Sequence, residues 1–236
     1  MKLHLYAVSS AASSGMLESL PLSGIGGAPV RVIQTANLTA LVSDTVSGAD
    51  TVRDSDTVSD AALEARDALV HHAVIERSMV VANLLPARHA AAISLEVLTA
   101  HLTQHSAAYE GLLARIGDAR EFGVRAELEK PLGVTAAPRS SGTAYLQARH
   151  AQFSAETLRR GELELIADAV ESQLISVILQ AKRDYPSADV YRGSFLVRGR
   201  DLELAQRIGA EAVLDLRGAR GSWHGPFPPY SFAVLP

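Results

Sequence analysis

The chain has 236 residues and a mass of 25.0 kDa, a length that suits one large or two small domains. Its content of 47% hydrophobic and 20% charged residues favours a buried core and excludes a wholly disordered protein. It has 22 basic and 26 acidic residues, a formal charge of −4, so it lacks the basic excess that a nucleic-acid partner would need. It contains no cysteine, which excludes disulfides, thiolate catalysis and cysteine-based zinc sites.

The first elements are strands. Loose alternation over Leu3–Val8 predicts a half-buried strand, and the Ser- and Gly-rich residues 9–28 predict a loop. The apolar runs Val30–Ile33 and Leu38–Ser43 are separated by Thr35–Asn37, a short polar connection. We therefore predict a β-hairpin.

A helix is predicted after the polar residues 48–59, with Ser59 or Asp60 as its N-cap. It ends before Pro86, because proline cannot continue a helix and forces the preceding residue into an extended conformation; a short strand is expected there. Its apolar stripe comprises Leu63, Val70, Val74 and Val81, with Leu69, Ala73 and Val80 beside it.

A second helix is predicted from the cap Ser94 to the C-cap Gly117. Its apolar positions follow a three-four spacing and are Leu95, Leu98, Leu102, His105, Tyr109, Leu112 and Ile116. Phe122–Leu128 then predicts another strand. Strands and helices that alternate over residues 1–130 without a phosphate loop favour an α+β sandwich of ferredoxin-like type.

Residues 131–142, rich in Pro, Gly and Ser, predict a domain boundary, so the expected domains are 1–130 and 143–236. The second begins with a helical pattern over 143–182, and a helix of that length would span roughly 60 Å, so a break is expected near Arg160–Gly161. Further elements of this domain follow in chain order: a strand over 190–197, a short helix over 201–212, a strand over 213–216 and an extended tail.

The histidines offer the only metal-like spacing that we find in the sequence. His101 and His105 stand four residues apart on one predicted helix, but no third ligand and no general base accompany them. His71 and His72 are neighbours and point about 100° apart, so packing or capping is the better interpretation. Gly24–Gly27 lacks the Lys-Ser/Thr of a phosphate loop, and no set of residues meets the requirements of an active site. No catalytic residue, metal or cofactor is therefore expected.

The tail is the most distinctive stretch. Three prolines between 226 and 229 fix an extended path that loses little entropy on packing or binding. Its aromatic residues are Trp223, Phe227, Tyr230 and Phe232, in a chain that has 1 Trp, 6 Tyr and 5 Phe. Two interpretations remain open: the tail closes the core of its own domain, or part of it binds a partner protein.

Gly225–Phe232 resembles the Gly-Pro-Trp-Pro-Pro-Tyr-Ser-Phe ending of the gas vesicle protein GvpF/GvpL family, with Phe227 in place of Trp. Other blocks resemble the family in the same order: Leu5–Val8, Pro29–Ser43, His72–Glu76, Leu85–Arg88, Glu121–Val124, Gly142–Leu146 and Phe195–Val197. The chain departs from the pattern after Arg88, where His89 and Ala90 replace a usual Phe-Gly. The motif residues, structural or partner-binding, are His72, Leu85, Pro86, Arg88, Tyr145, Leu146, Gly225, Pro226, Phe227, Pro228, Pro229, Tyr230 and Phe232.

The resemblance implies two domains, a ferredoxin-like first and a ferredoxin-like variant with long helices second. It implies a minor gas vesicle protein without catalytic residues, one that binds the shell protein GvpA, limits its aggregation and acts with other minor vesicle proteins in assembly. No apolar stretch reaches the roughly 20 residues of a membrane span, and no signal-peptide core is visible, so a soluble cytoplasmic protein at the gas vesicle is expected. The alternatives are a metal- or small-ligand-binding enzyme on the His101/His105 helix and a regulatory ligand-binding module of ferredoxin-like fold.

Overall fold

The computed structural model describes residues 2–45, 60–89, 92–129 and 142–234. The chain divides into two compact units, Met1–Asp118 together with Phe227–Pro236, and Ala119–Pro226. Each unit combines helices with one antiparallel sheet, so the α+β class is confirmed. Within the described ranges, no helix has both the length and the hydrophobicity that a membrane crossing requires.

The sheet of the first unit is centred on its first strand. Its strands are β1 (Lys2–Ser10), β2 (Arg31–Gln34), β3 (Leu38–Asp44), β4 (Leu85–Pro86) and β5 (Ala92–Ser94). The strand order is β2-β3-β1-β4, with β5 also paired to β1. Antiparallel pairing of β2 with β3 confirms the predicted hairpin, with Arg31 opposite Val42 and Gln34 opposite Thr39.

The helices of the first unit are α1 (Ser14–Glu18), α2 (Asp60–Ser78), α3 (Leu95–Gln104) and α4 (Ser106–Ile116), with 3₁₀ turns at Ala11–Ser13 and Ile25–Gly27. The predicted stripe of α2 is partly wrong. Val74 and Ile75 are buried, but Leu63 and Leu69 are exposed and Val80 and Val81 lie beyond the end of the helix. Only the C-terminal half of α2 packs on the core, so the apolar residues of its first half do not mark an inner face. The proposed cap Ser59 lies outside the described residues.

The helix predicted from Ser94 to Gly117 is interrupted. His105 leaves helical geometry at φ −106° and ψ 17°, so α3 ends at Gln104 and α4 starts at Ser106. Both predicted caps are confirmed: the Val97 N–H donates to Ser94 Oγ, and the Gly117 N–H donates to the Leu113 carbonyl. The apolar face nevertheless continues across the break. Five residues of the predicted stripe are buried: Leu98, Leu102, Tyr109, Leu112 and Ile116.

The second unit repeats the strand order of the first. Its elements are β6 (Arg120–Leu128), α5 (Gly142–Leu174), β7 (Ile178–Ser187), β8 (Val190–Val197), a 3₁₀ turn (Gly199–Asp201), α6 (Leu202–Leu214) and β9 (Ala219–Phe227). The order is β7-β8-β6-β9, that is second, third, first and fourth along the chain, as in the first unit. β8 pairs antiparallel with both β6 and β7.

Three predictions for this unit are wrong. α5 runs without a break through Arg160–Gly161, because one glycine costs a helix only about 1 kcal/mol and the residues after it are anchored in the core. α5 also ends at Leu174 rather than near 182, since Ile178–Ser187 pairs with β8 as a strand. α6 extends to Leu214, and the last strand lies at Ala219–Phe227 instead of 213–216.

The core of the second unit is built around β6 and β8. Phe122, Tyr191 and Phe195 are fully buried, and the Trp223 indole stacks on Phe122 with centroids 5.1 Å apart and planes 14° apart. Gly209 in α6 faces this indole, so the helix backbone approaches the ring closely.

The two units differ from the predicted domains in two places, at the boundary between them and in the tail. β6 falls in the second unit because its buried residues pack against β8 and α5. The residues from Phe227 onward fall in the first unit rather than with the rest of the tail. The predicted linker 131–142 lies outside the described residues, apart from Gly142, where α5 begins.

Candidate functional site

The end of the chain is docked on the first unit. Pro228 and Pro229 are buried, and the Phe232 and Ala233 N–H groups both donate to the Pro229 carbonyl, at 3.1 and 2.9 Å. This turn places the Phe232 side chain in the interior, where 2% of its surface is exposed. The prolines therefore set a path whose last aromatic residue fills the core.

His72 of α2 receives the tail. Its Nδ1 and the Tyr230 hydroxyl form a hydrogen bond of 3.2 Å, and the two rings stack with centroids 6.0 Å apart. The Phe227 ring lies edge-on to the same imidazole at 6.2 Å. Two motif blocks that are 158 residues apart in the sequence thus meet at one histidine.

Two of the three motif residues around β4 are part of the buried sheet. Leu85 and Pro86 are buried and pair with Val8 and Ala7 of β1. Arg88, just after the strand, is exposed. Only the last of these three motif residues has its side chain on the surface.

Gly225 and Trp223 belong to the second unit. Gly225 has φ of 125°, and a Cβ atom there would lie 2.8 Å from both the Glu121 carbonyl oxygen and Phe122 Cδ1. A side chain is excluded by backbone conformation and by space, which accounts for glycine at this motif position. The exposed Pro226 follows, and the chain then returns to the first unit at Phe227.

Tyr145 and Leu146 lie in a different environment. They belong to the exposed α5 segment, residues 143–158, in which every side chain described is exposed. The segment presents Tyr145 at 57%, Leu146 at 68% and Phe153 at 69% exposure. These motif residues are therefore part of an exposed apolar surface of the second unit.

His101 and His105, the pair with metal-like spacing, have rings 4.6 Å apart. His101 Nε2 is hydrogen-bonded to the Tyr109 hydroxyl at 3.1 Å, and burial raises the pKa of that phenol. Across the described parts of the chain, no group of three or more His, Asp or Glu residues is arranged to hold a metal ion. The pair is thus engaged in the packing of α3 against α4.

The first unit also contains a histidine cluster that the sequence pattern does not predict, formed by His4, His71 and His89. His4 Nε2 lies 2.8 Å from His71 Nδ1, and His71 Nε2 lies 2.9 Å from the Ala87 carbonyl oxygen. The three rings form a near-equilateral triangle with centroid separations of 5.0, 5.6 and 5.7 Å. A polar residue in a short alternating strand is usually assigned to the solvent side, so the sequence pattern does not mark His4 as buried. In the structure His4 is buried because it faces another histidine, His71 of α2.

An open depression of about 530 Å³ lies between α5 and the loop that leads into β9 in the second unit. Its lining is largely apolar and also includes Glu162, Asp215 and Arg217. It is open to solvent rather than enclosed.

Three features characterise the described part of the chain: two α+β units of one strand order, a tail that completes the first unit, and an exposed apolar helix surface. No curated relative matches the chain. The chain does match the family described as "Gas vesicle synthesis protein GvpL/GvpF" over residues 2–234. It belongs to that gas vesicle family.

Two solved structures share the fold. The crystal structure of the gas vesicle protein GvpF from Anabaena sp. PCC7120 is 17% identical, with a TM-score of 0.69, over 100% of this chain and 97% of that one. The crystal structure of GvpF from Microcystis aeruginosa is 18% identical, with a TM-score of 0.70, over 99% of each chain. The fold of this chain is therefore shared with two GvpF proteins at sequence identities below 20%.

Proposed function

We propose that this chain is a gas vesicle assembly factor that binds the shell protein GvpA, limits its aggregation and works beside other minor vesicle proteins in the cytoplasm. The family match over residues 2–234 supports the vesicle assignment. Two domains of ferredoxin-like type are part of the proposal. The strand order second-third-first-fourth in both antiparallel sheets supports them.

The observation that carries the binding role is the exposed α5 segment. Tyr145, Leu146 and Phe153 each expose more than half of their surface, although aromatic and large aliphatic side chains gain about 25 cal/mol for every Å² removed from water. An isolated helix of this length is only marginally stable in water. A segment that stays helical while its apolar side chains remain in water is suited to an apolar partner that covers it.

The tail is assigned a different role in this proposal. Phe232 is buried and Tyr230 is hydrogen-bonded to His72, so both residues are occupied inside the first unit. These contacts support a tail that completes the first unit, and Phe227, which is 39% exposed, is its least covered aromatic residue. We therefore propose the exposed α5 segment, rather than the tail, as the partner surface.

Co-expression with GvpA tests both parts of the proposal. The test variant carries Tyr145→Ser, Leu146→Ser and Phe153→Ser. The control variant carries Val80→Ser, Leu165→Ser and Leu214→Ser, three apolar residues that are 83%, 70% and 84% exposed elsewhere. We expect the wild type and the control to co-purify with GvpA and to keep it in the supernatant, and the α5 variant to lose both effects.

The two possible failures are distinguishable. If the wild type neither co-purifies with GvpA nor raises its solubility, the binding role is wrong. If the α5 variant binds as well as the control, binding stands but the α5 surface is not the site. Circular dichroism of all three proteins checks that the substitutions leave the fold intact.

A further inference from the structure

While His4 and His71 are both neutral, only one arrangement of protons satisfies the hydrogen bonds of the histidine cluster. The Ala87 carbonyl can only accept, so the proton of neutral His71 lies on Nε2, which donates to that oxygen at 2.9 Å. His71 Nδ1 is then bare and accepts the proton of His4 Nε2 at 2.8 Å. The result is a directed chain from His4 to His71 to the Ala87 backbone, and both rings are neutral in it.

A single added proton can be shared by the two rings. Whichever ring carries it, one N–H still donates across the 2.8 Å between His4 Nε2 and His71 Nδ1, because His4 can move its own proton to Nδ1. This proton charges residues that are 7% and 2% exposed, so desolvation opposes it. A second proton makes both rings cationic and sets two N–H groups against each other across the same gap, so the bond is lost.

Among the described residues, none of the groups that act electrostatically on the two rings is negatively charged. The groups that act electrostatically on His4 are His71 and His89, and those that act on His71 are His89 and His72. All of them are imidazoles. On the neighbouring β3, Ser43 stands opposite His4 in the register and is bonded to the Tyr6 hydroxyl, while Asp44 is paired with Arg31.

Burial and the neighbouring imidazoles lower the pKa of His4 from 6.5 to about 4, and burial lowers that of His71 as well. A histidine whose pKa is lower in the folded state stabilises that state fully above its unfolded value. This contribution is lost as the pH falls from 6.5 towards 4. The direction agrees with the geometry, since the lowered pKa values and the loss of the His4–His71 hydrogen bond both disfavour a closed cluster in which the two rings are cationic.

We propose that the histidine cluster is an acid-operated release, in which protons taken up by His4 and His71 loosen α2 from β1 and from the segment that follows β4. The cluster is suited to this role because its three histidines come one from each of these elements. The adjacent residue on α2, His72, bears the tail through Tyr230, so loosening of α2 also weakens the docking of the tail. The state at neutral pH is the closed one.

Hydrogen–deuterium exchange of the full chain at pH 7 and pH 4.5, corrected for intrinsic rates, tests the release. Protonation of His4 alone should raise the equilibrium constant for opening, and so lower the exchange protection of peptides from α2 and β1, by roughly fifty-fold between pH 7 and pH 4.5. Protonation of His71 should add to this loss. The test variant carries His4→Gln and His71→Gln, because a Gln side chain can donate and accept but does not titrate. We expect its protection in α2 and β1 to change little with pH. The matched control, His150→Gln with His224→Gln, removes two exposed histidines and should keep the wild-type response.

Nitrogen-detected NMR of the imidazoles in the wild type gives a readout that does not depend on a variant. We expect His4 and His71 to be neutral at pH 6.5, each with its proton on Nε2, and both to take up protons only at a lower pH than an unperturbed histidine. The proposal is overturned if either ring is cationic at pH 6.5, if wild-type protection in α2 and β1 is the same at both pH values, or if the double variant retains the full loss.

Discussion

Gly161 and Gly209 both lie inside helices of the second unit, but a methyl group fits at only one of them. At Gly161 a Cβ atom would have no neighbour within 4 Å. At Gly209 it would lie 2.5 Å from Trp223 Cζ2 and closer still to two other atoms of the indole. The same substitution to alanine is therefore predicted to have opposite effects on stability.

The helix propensity gain is common to both substitutions, about 0.8–1 kcal/mol in favour of alanine. At Gly161 nothing opposes it, so Gly161→Ala should stabilise the second unit by about that amount. At Gly209 the indole cannot move aside easily, because it stacks on Phe122 and its centroid is 5.6 Å from that of Phe195. Overpacking of this kind costs about 1–3 kcal/mol, so Gly209→Ala should be the less stable variant by that margin.

Urea unfolding followed by tryptophan fluorescence measures the difference directly, because Trp223 is the only tryptophan in the sequence. Gly209→Ala should shift the midpoint to lower urea and alter the native emission, whereas Gly161→Ala should raise the midpoint and leave the emission unchanged. Equal midpoints for the two variants would refute the close packing of α6 on the indole.

Three further predictions concern the tail and the strand before it. Phe232→Ala should destabilise the first unit by about 3–5 kcal/mol, because it empties a buried aromatic site, and thermal unfolding compared with an exposed Phe153→Ala control measures this loss. Tyr230→Phe removes only the hydroxyl bonded to His72 and should cost about 1 kcal/mol; a loss above 3 kcal/mol would contradict so simple a role. Gly225→Ala should cost about 2 kcal/mol or more in urea unfolding, since the positive φ and the close Glu121 carbonyl both oppose a side chain, and a neutral effect would show that the strand relaxes freely.

Local patterns allowed several elements to be predicted from the sequence. The β2–β3 hairpin, the Ser94 cap and the Gly117 cap all depend on neighbours within a few residues, and each is confirmed. The family match confirmed the vesicle assignment that the tail motif indicated. Local chemistry and a local motif were sufficient in these cases because the signal and the feature share the same short stretch.

The remaining features depend on contacts between distant residues. The break at His105 does not disturb the apolar spacing, so no period in the sequence marks it. Gly161 suggests a helix break only when the low helix propensity of glycine is considered by itself. Burial of Leu163 and Ala167, which follow it, stabilises α5 by more than that cost. The joining of His4 to His71 needs β1 and α2 to be adjacent, which no local pattern specifies.

The order in which the first unit is assembled follows from the return of the chain at Phe227. Residues 119–226 are synthesised before the segment that carries Phe232, so a growing chain contains a complete second unit while the first still lacks a core side chain. The first unit therefore reaches its final stability only after the second unit has been synthesised. During synthesis, its apolar interior remains open to a chaperone for longer than that of the unit made after it.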